Sequence, residues 1–257
     1  MIIVRDLWKT FRLSRQQKKE RGDATRDGKL DAVAGISLTC QPGRIFTLVG
    51  PNGAGKTTTL RMIATLLKPT SGSISVAGFD VIKQPQEVRR RLGFLTGTTK
   101  LYERLTPREL VKYYADLYDM DRLFFEKRRE ELFTLLDMEG FANRRIGKLS
   151  TGMRQKVSIV RTIIHDPEIV VFDEPTVGLD VITSKNIIEL IRMCRKEGKT
   201  VIFSTHIMGE VSLLSDDLAI IHEGKLRFNG SYRDFQKQMQ EESLEAEFIR
   251  LLREDQS

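Results

Sequence analysis

The sequence holds 257 residues, enough for one large core or a core with a smaller satellite. Its 40% hydrophobic content is that of an ordinary globular protein, and no stretch approaches the roughly 18 consecutive apolar residues of a membrane span. A formal charge of +7 admits nucleic acid or an acidic membrane surface as partner, but much of the excess is local: residues 15–29 carry six basic and three acidic groups.

The opening Met-Ile-Ile-Val-Arg-Asp lacks a basic segment followed by an apolar one, so no secretory leader is expected. Residues 1–11 read as a first strand. The basic stretch, about 13–30, contains two glycines and no apolar periodicity, and reads as a polar loop. It has no interleaved aromatics on which bases would stack, which argues against nucleic acid. Val33–Thr39 reads as a second strand and Gln41-Pro42-Gly43 as a turn.

Phe46–Val49 then reads as a buried strand, and Leu60, Met62, Ile63 and Leu66 as the apolar side of a helix. Between them stands Gly50-Pro51-Asn52-Gly53-Ala54-Gly55-Lys56-Thr57, followed by Thr58. A glycine-rich turn between strand and helix is a phosphate cradle: its glycines let backbone N–H groups converge on an anion, and the helix start adds positive potential. Lys56 is placed to reach the terminal phosphates of a nucleoside triphosphate, and Thr57 to offer its hydroxyl to Mg²⁺.

Farther on, turn chemistry over residues 70–80 surrounds a short alternating run, Ser73–Ala77, and Arg91–Leu95 reads as a strand. Thr106–Leu117 and Phe125–Leu136 have helical periodicity, within a helical excursion from about 98 to 164 that is interrupted near Gly140 and Gly147. Strand and helix alternation resumes with Ile169–Phe172, Ser184–Arg195 and Val201–Ser204, then Asp217–Ile221 and Lys225–Asn229 around Glu223-Gly224. The pattern predicts an α/β phosphate-binding core over residues 1–235, with the helical excursion inserted as a subdomain. A tail over 236–257 places Leu244, Phe248, Leu251 and Leu252 on one side of a short helix, to dock on the protein's own core or on a partner.

Triphosphate chemistry needs a carboxylate for the metal and a group to orient water. Asp173 and Glu174, directly after the apolar run Ile169–Phe172, have the right form: Asp173 for Mg²⁺ and Glu174 to polarise the attacking water. His206 follows the strand Val201–Ser204 and Thr205; it either contacts the γ-phosphate or positions water, or is a packed or capping residue. His165 and His222 read as structural. Cys40 and Cys194 are isolated and read as buried small residues in a reducing compartment, with no zinc pattern.

Taken with these residues, Leu149-Ser150-Thr151-Gly152-Met153-Arg154-Gln155-Lys156, Pro175, Gly178-Leu179-Asp180 and Ser204-Thr205-His206 resemble the nucleotide-binding subunit of an ATP-binding-cassette transporter. The resemblance runs from about residue 2 to 230, and its ordered motifs are far more specific than the glycine loop alone. It implies the ABC nucleotide-binding fold: a P-loop ATPase core with an antiparallel β subdomain and an inserted helical subdomain. It implies ATP and Mg²⁺ as ligands, with Phe11 stacking on adenine, Gly50–Thr58 holding the phosphates, and Thr57 and Asp173 at the metal. It implies Glu174, His206 and Lys56 as the hydrolytic set. Ser150, Gly152 and Asp180 would serve the site of a second nucleotide-binding subunit, in a head-to-tail pair that is expected to be a homodimer.

The same resemblance implies separately encoded transmembrane permease subunits and a peripheral place on the cytoplasmic face of the membrane. Thr151 and Met153 depart from the commonest residues of the signature, and Gly97 stands where most relatives have Gln. Gly93–Thr106 resembles the sodium-exporter branch, with its NatA-type ATP-binding subunits, and there the glycine fits. Sodium export is the leading expectation. The alternatives are export of a drug, lipid, peptide or polysaccharide, and, in other classes, a nucleic-acid-remodelling or a non-catalytic regulatory cassette.

Overall fold

Runs that are apolar throughout, rather than alternating, build the centre of this chain, because a strand covered on both faces has no side for water. The computed structural model describes residues 1–13, 28–96 and 100–253. In chain order these form β1 (Ile2–Arg12), β2 (Lys29–Cys40), β3 (Ile45–Val49), α1 (Lys56–Ile63), β4 (Ser71–Val76), β5 (Phe79–Asp80), α2 (Pro85–Arg91) and β6 (Leu92–Leu95). Then come α3 (Pro107–Leu117), α4 (Arg122–Leu135), two 3₁₀ turns (Glu139–Phe141 and Ile146–Lys148), α5 (Thr151–Ile163), β7 (Ile169–Asp173) and α6 (Val181–Lys196). The chain continues through β8 (Thr200–Thr205), α7 (Met208–Leu214), β9 (Asp217–His222), β10 (Lys225–Ser231), α8 (Tyr232–Gln238) and α9 (Leu244–Arg253). It divides into two units: residues 1–41, 46–88 and 204–257, and residues 42–45 and 89–203.

The first unit contains an antiparallel sheet in the order β2-β1-β4-β5. Ile2, Val4, Ile36, Leu38, Ile74 and Val76 are buried there, as half-buried strands require. Between Val4 and Leu7 the register of β1 slips at Asp6, whose φ of 43° is left-handed. The slip moves Leu7 onto the buried face, and Asp6 answers it by accepting from Trp8 Nε1 at 3.0 Å. In the same unit β3 runs parallel to β9, which pairs antiparallel with β10. Glu223 (φ 48°) and Gly224 (φ 77°) join β9 to β10 in the doubly left-handed conformation of a type I′ turn.

In the second unit β6 pairs parallel with β7, and β8 flanks β7 on its other side. Every residue of β7 is buried. Helix α3 starts on a capping box between Thr106 and Glu109 with Pro107 in its first turn; Asp121 caps α4 through the N–H groups of Leu123 and Phe124. Helix α5 is the hub, packing on α3, α4, α6 and β6. Its apolar residues Val157, Ile159, Val160 and Ile163 are all buried.

The α/β class and the order of the longer elements follow the sequence pattern. Several boundaries do not. Helix α1 stops at Ile63, and Thr65 turns left-handed at φ 62°, so Leu66 lies past the helix and is 61% exposed. Arg91 belongs to α2 and not to a strand; that helix buries only Val88, too little to print a period. The run Ser73–Ala77 is a strand only as far as Val76, since Ala77 turns left-handed at φ 51°, and that strand begins earlier, at Ser71; β2 begins at Lys29. The seven-residue helices α7 and α8 were not anticipated. Residues 14–27 of the basic stretch, and Gly97, lie outside the described residues. In the tail, Leu244, Phe248 and Leu251 of α9 pack against a cluster formed by Val49, Met208, Val211, Leu218, Ile220 and Phe235.

Candidate nucleotide-binding and hydrolysis site

Strand β3 is wholly buried, and the chain leaves it at Gly50. A Cβ at Gly50 would run into the carbonyl oxygen of Ile221, and one at Gly55 into that of Ala32. Gly55 also has φ 109°, which side chains rarely adopt. Gly53 has φ 81° and open space around it, so its demand is conformational alone. Gly55 is the N-cap of α1 and supplies no side-chain cap, and the first turn carries no acidic residue. The helix start thus presents N–H groups and positive potential to an anion.

Lys56 is 4% exposed, and its ammonium donates to the carbonyl oxygens of Gly50 at 2.7 Å and Pro51 at 3.1 Å. Those two carbonyls hold the cation over the loop. Asn52 and Gly53 are exposed at its tip, Ala54 is buried, and Thr57 and Thr58 are half-buried. The Ala54 carbonyl accepts from Gly224 N at 2.9 Å, which ties the loop to the β9–β10 turn. Phe11 is 37% exposed near the end of β1, with the Lys9 ammonium 5.2 Å from its ring centroid. One face of that ring is therefore partnered by a cation.

His206 is exposed at the point where the buried β8 ends. Thr205 before it donates from Oγ1 to Glu210 Oε2 at 2.6 Å and accepts from Ile207 N at 3.0 Å. The sequence reading stopped at His206 and passed over Glu210. The available signal was a carboxylate one helical turn beyond the histidine.

In the second unit, β7 delivers Asp173 at its end, 8% exposed, and Glu174 immediately after it, half-buried. Glu174 is left-handed at φ 49°, a conformation that costs a non-glycine residue about 1–2 kcal/mol. Ser150 caps α5, its Oγ accepting from Met153 N at 3.3 Å, and Asp180 caps α6, accepting from Thr183 N at 2.9 Å and Thr183 Oγ1 at 2.8 Å. The backbone N–H of Thr183, with its hydroxyl, holds the Asp180 carboxyl below its ordinary pKa. These two helix starts meet: a Cβ on Gly152 would lie 3.3 Å from Thr183 Oγ1 and 3.6 Å from Asp180 Oδ2. Gln155 Nε2 donates to the Pro175 carbonyl at 2.8 Å, linking α5 to the segment just past Glu174.

The structure therefore gathers Ser150, Gly152 and Asp180 at one place in the second unit, and joins the loop Gly50–Gly55 to the first turn of α1, Lys56–Thr58, in the first. Among the described residues there is no group of three or more His, Cys, Asp or Glu side chains able to hold a metal. Thr57 in the first unit and Asp173 in the second each carry a hard oxygen donor, the kind of group that Mg²⁺ takes.

Comparison with protein families matches residues 33–177 to the ABC transporter family. The chain is 43% identical over 250 residues to the ABC transporter ATP-binding protein NatA of Bacillus subtilis (strain 168), covering 97% of each chain. Among solved structures it resembles an ATP-binding subunit of an ABC transporter with a TM-score of 0.84 and 27% identity, covering 98% of this chain and 99% of the other. It also resembles a dimeric ATP-binding cassette in a post-hydrolysis state with ADP and Pi, with a TM-score of 0.77 and 25% identity over 90% and 98% of the two chains.

Proposed function

This chain belongs to the ABC transporter family, as an ATP-binding subunit that hydrolyses ATP for transport, and we propose that it drives a sodium exporter as a homodimer on separately encoded permease subunits. No helix among the described residues is long and apolar enough to cross a membrane. The proposed place is peripheral, at the cytoplasmic membrane face. Sodium is the proposed cargo because Gly93–Thr106 resembles the sodium-exporter branch, Gly97 included.

The observation that carries the motor reading is the glycine cradle with Lys56 held above it. In the proposed cycle Gly50–Thr58 encloses the phosphates through backbone N–H groups, Lys56 turns from the Gly50 and Pro51 carbonyls to the β- and γ-phosphates, and Phe11 stacks on adenine on the face away from Lys9. Thr57 and Asp173 would hold Mg²⁺, which supplies charge neutralisation on the β- and γ-oxygens. Glu174 accepts a hydrogen bond from the attacking water, whose oxygen bonds to the γ-phosphorus as the bond to the ADP oxygen breaks. His206 contacts the γ-phosphate. Ser150 and Gly152, at the start of α5, serve the nucleotide of the second copy, and Asp180 shapes that seam. ATP closes the pair and product release reopens it, which biases the permease between two access states.

The test is reconstitution of the chain with its neighbouring membrane subunits in liposomes. ATP-dependent ²²Na⁺ export is expected, and Glu174→Gln is expected to keep ATP binding while turnover falls at least ~100-fold. Robust ATPase activity that moves another solute and no sodium would replace the cargo; near-normal turnover by the variant would remove the role given to Glu174.

A further inference from the structure

Beyond the residues that meet nucleotide, we propose that Glu210 is a positioning residue for His206, acting through the hydroxyl of Thr205. The inference rests on the reading of His206 as the γ-phosphate contact. Strand β8 is buried as far as Thr205, 1% exposed, and the chain emerges at His206. An exposed side chain at such an exit is aimed by the backbone on either side of it. Here one hydroxyl fixes both sides: Thr205 Oγ1 accepts from Ile207 N at 3.0 Å while its proton goes to Glu210 Oε2 at 2.6 Å. The donated proton leaves the hydroxyl's lone pairs for the Ile207 N–H, so the carboxylate decides which way the hydroxyl faces.

Glu210 is 6% exposed, and burying a carboxylate is costly unless it is bonded. Its helix is anchored: Met208 and Val211 of α7 sit in one cluster with Leu218, Ile220, Phe235 and Val49. Val49 is the last residue of β3, directly ahead of Gly50. The histidine turn and the entry to the glycine cradle are thus referred to the same packed cluster, through Glu210 in one case and the backbone of Val49 in the other.

A carboxylate in a first helical turn also complements the helix dipole, which requires its charge and not its hydrogen bond. The two roles separate chemically. Glutamine keeps an acceptor oxygen and loses the charge; valine in place of Thr205 loses the hydroxyl and leaves the charge untouched.

ATPase kinetics of the transporter complex test this with Glu210→Gln, Glu210→Ala, Thr205→Ser, Thr205→Val and His206→Ala. Positioning predicts that Glu210→Ala and Thr205→Val each lower kcat at least ~10-fold with KM for ATP within ~2-fold, while Glu210→Gln and Thr205→Ser stay within ~3-fold of the parent. Glu210→Ala added to His206→Ala should bring no further loss, because both act on one group. If Glu210→Ala fails to assemble, the Thr205 pair carries the test. Wild-type turnover by Thr205→Val with a slow His206→Ala overturns the positioning role alone, as does equal loss in Glu210→Gln and Glu210→Ala. Wild-type turnover by His206→Ala removes the His206 reading, and this inference with it.

Discussion

Arg128 on α4 pairs with Asp166 and Glu197, and replacing it with methionine tests how much that pairing stabilises the second unit. The side chain is 6% exposed. Its Nη1 and Nη2 meet the two oxygens of Glu197 at 2.8 and 3.0 Å, and Nη2 also lies 3.3 Å from Asp166 Oδ1. Burial opposes the guanidinium's charge, but the bidentate bond to Glu197 and the field of Glu197 and Asp166 outweigh it, and its pKa is raised. Removing one partner of a fully buried pair costs about 3–5 kcal/mol. Two facts reduce that here. Glu197 and Asp166 are 31% and 38% exposed, so water re-solvates them, and Lys199 remains 2.6 Å from Asp166 and 3.7 Å from Glu197. Methionine keeps most of the buried stem, so packing is spared. The expected loss is about 2–3 kcal/mol; at about 2.1 cal/mol/K of unfolding entropy per residue, Tm falls by about 4–6 °C for the 257-residue chain. Calorimetry at pH 7 on the parent, Arg128→Met, Glu197→Gln and the double variant should give a coupling of about 1–2 kcal/mol. An unchanged or raised Tm in Arg128→Met would refute the reasoning, since Lys199 and water would then replace the guanidinium completely.

His165 stacks on Tyr118 with ring centroids 3.8 Å apart, and burial pushes its pKa down to about 4. The unfolded chain takes up this proton below about pH 6.5 and the folded chain only near 4, so stability falls with pH across that window by up to about 3 kcal/mol. His165→Phe keeps the stack and should flatten that slope in urea titrations at pH 7 and 4.5. Gly55→Ala meets both a forbidden φ and the Ala32 carbonyl, and should abolish ATP binding, whereas Gly53→Ala, in open space, should lose only about 1–2 kcal/mol of stability in thermal melts. Glu247, 2% exposed, accepts from Arg250 and from the N–H groups of Gln240 and Glu241, and the Arg250 bond leads in holding its pKa low. Glu247→Gln should loosen α9 by about 1–2 kcal/mol at pH 7, seen as faster amide exchange over 244–253. Because the folded pKa is the lower one, the difference should disappear as pH falls through it.

What was legible in the sequence was whatever repeats over a long enough window or is chemically singular. The apolar-rich run Phe46–Val49, the all-apolar run Ile169–Phe172 and the periodic helices α3, α4 and α6 declare themselves because burial selects largely the same residue class at each core position. Helix α2 did not, since a seven-residue helix burying only Val88 has no period to display. Its real signals were Pro85 at the start, Glu87 in the first turn and Arg89–Arg91 at the end. Leu66 was misplaced for the opposite reason: an apolar residue at helical spacing carries no mark that the chain has already turned left-handed at Thr65. At the site, glycines, carboxylates and histidine were readable by type. The Thr205–Glu210 bond, the meeting of Gly152 with Asp180 and Thr183, and the strain at Glu174 were not, because each depends on backbone direction rather than composition.

Two of those features, the strain at Glu174 and the Thr205–Glu210 bond, share a logic with the glycine cradle. Strands β3, β7 and β8 are buried along their whole length, so each is fixed by packing, and the polar groups available lie at the last residue of β7 and β8 or just beyond the strand ends. In the proposed cycle chemistry begins where each strand stops, and a different device aims each exit. After β3, Gly50 and Gly55 remove side chains that neighbouring carbonyls would strike. After β7, Glu174 is turned left-handed within a segment that the Gln155–Pro175 bond secures. After β8, a hydroxyl and a buried carboxylate orient the histidine turn. Separating rigid strand from aimed exit means that polar substitutions at the exits leave the strand cores intact. Glu174→Gln and Thr205→Val, at the strand ends, should therefore fold and bind ATP while differing in rate, whereas truncation of a buried residue in a strand's middle, such as Phe203→Ala, should cost about 3–5 kcal/mol and show as a lower Tm before it shows in rate.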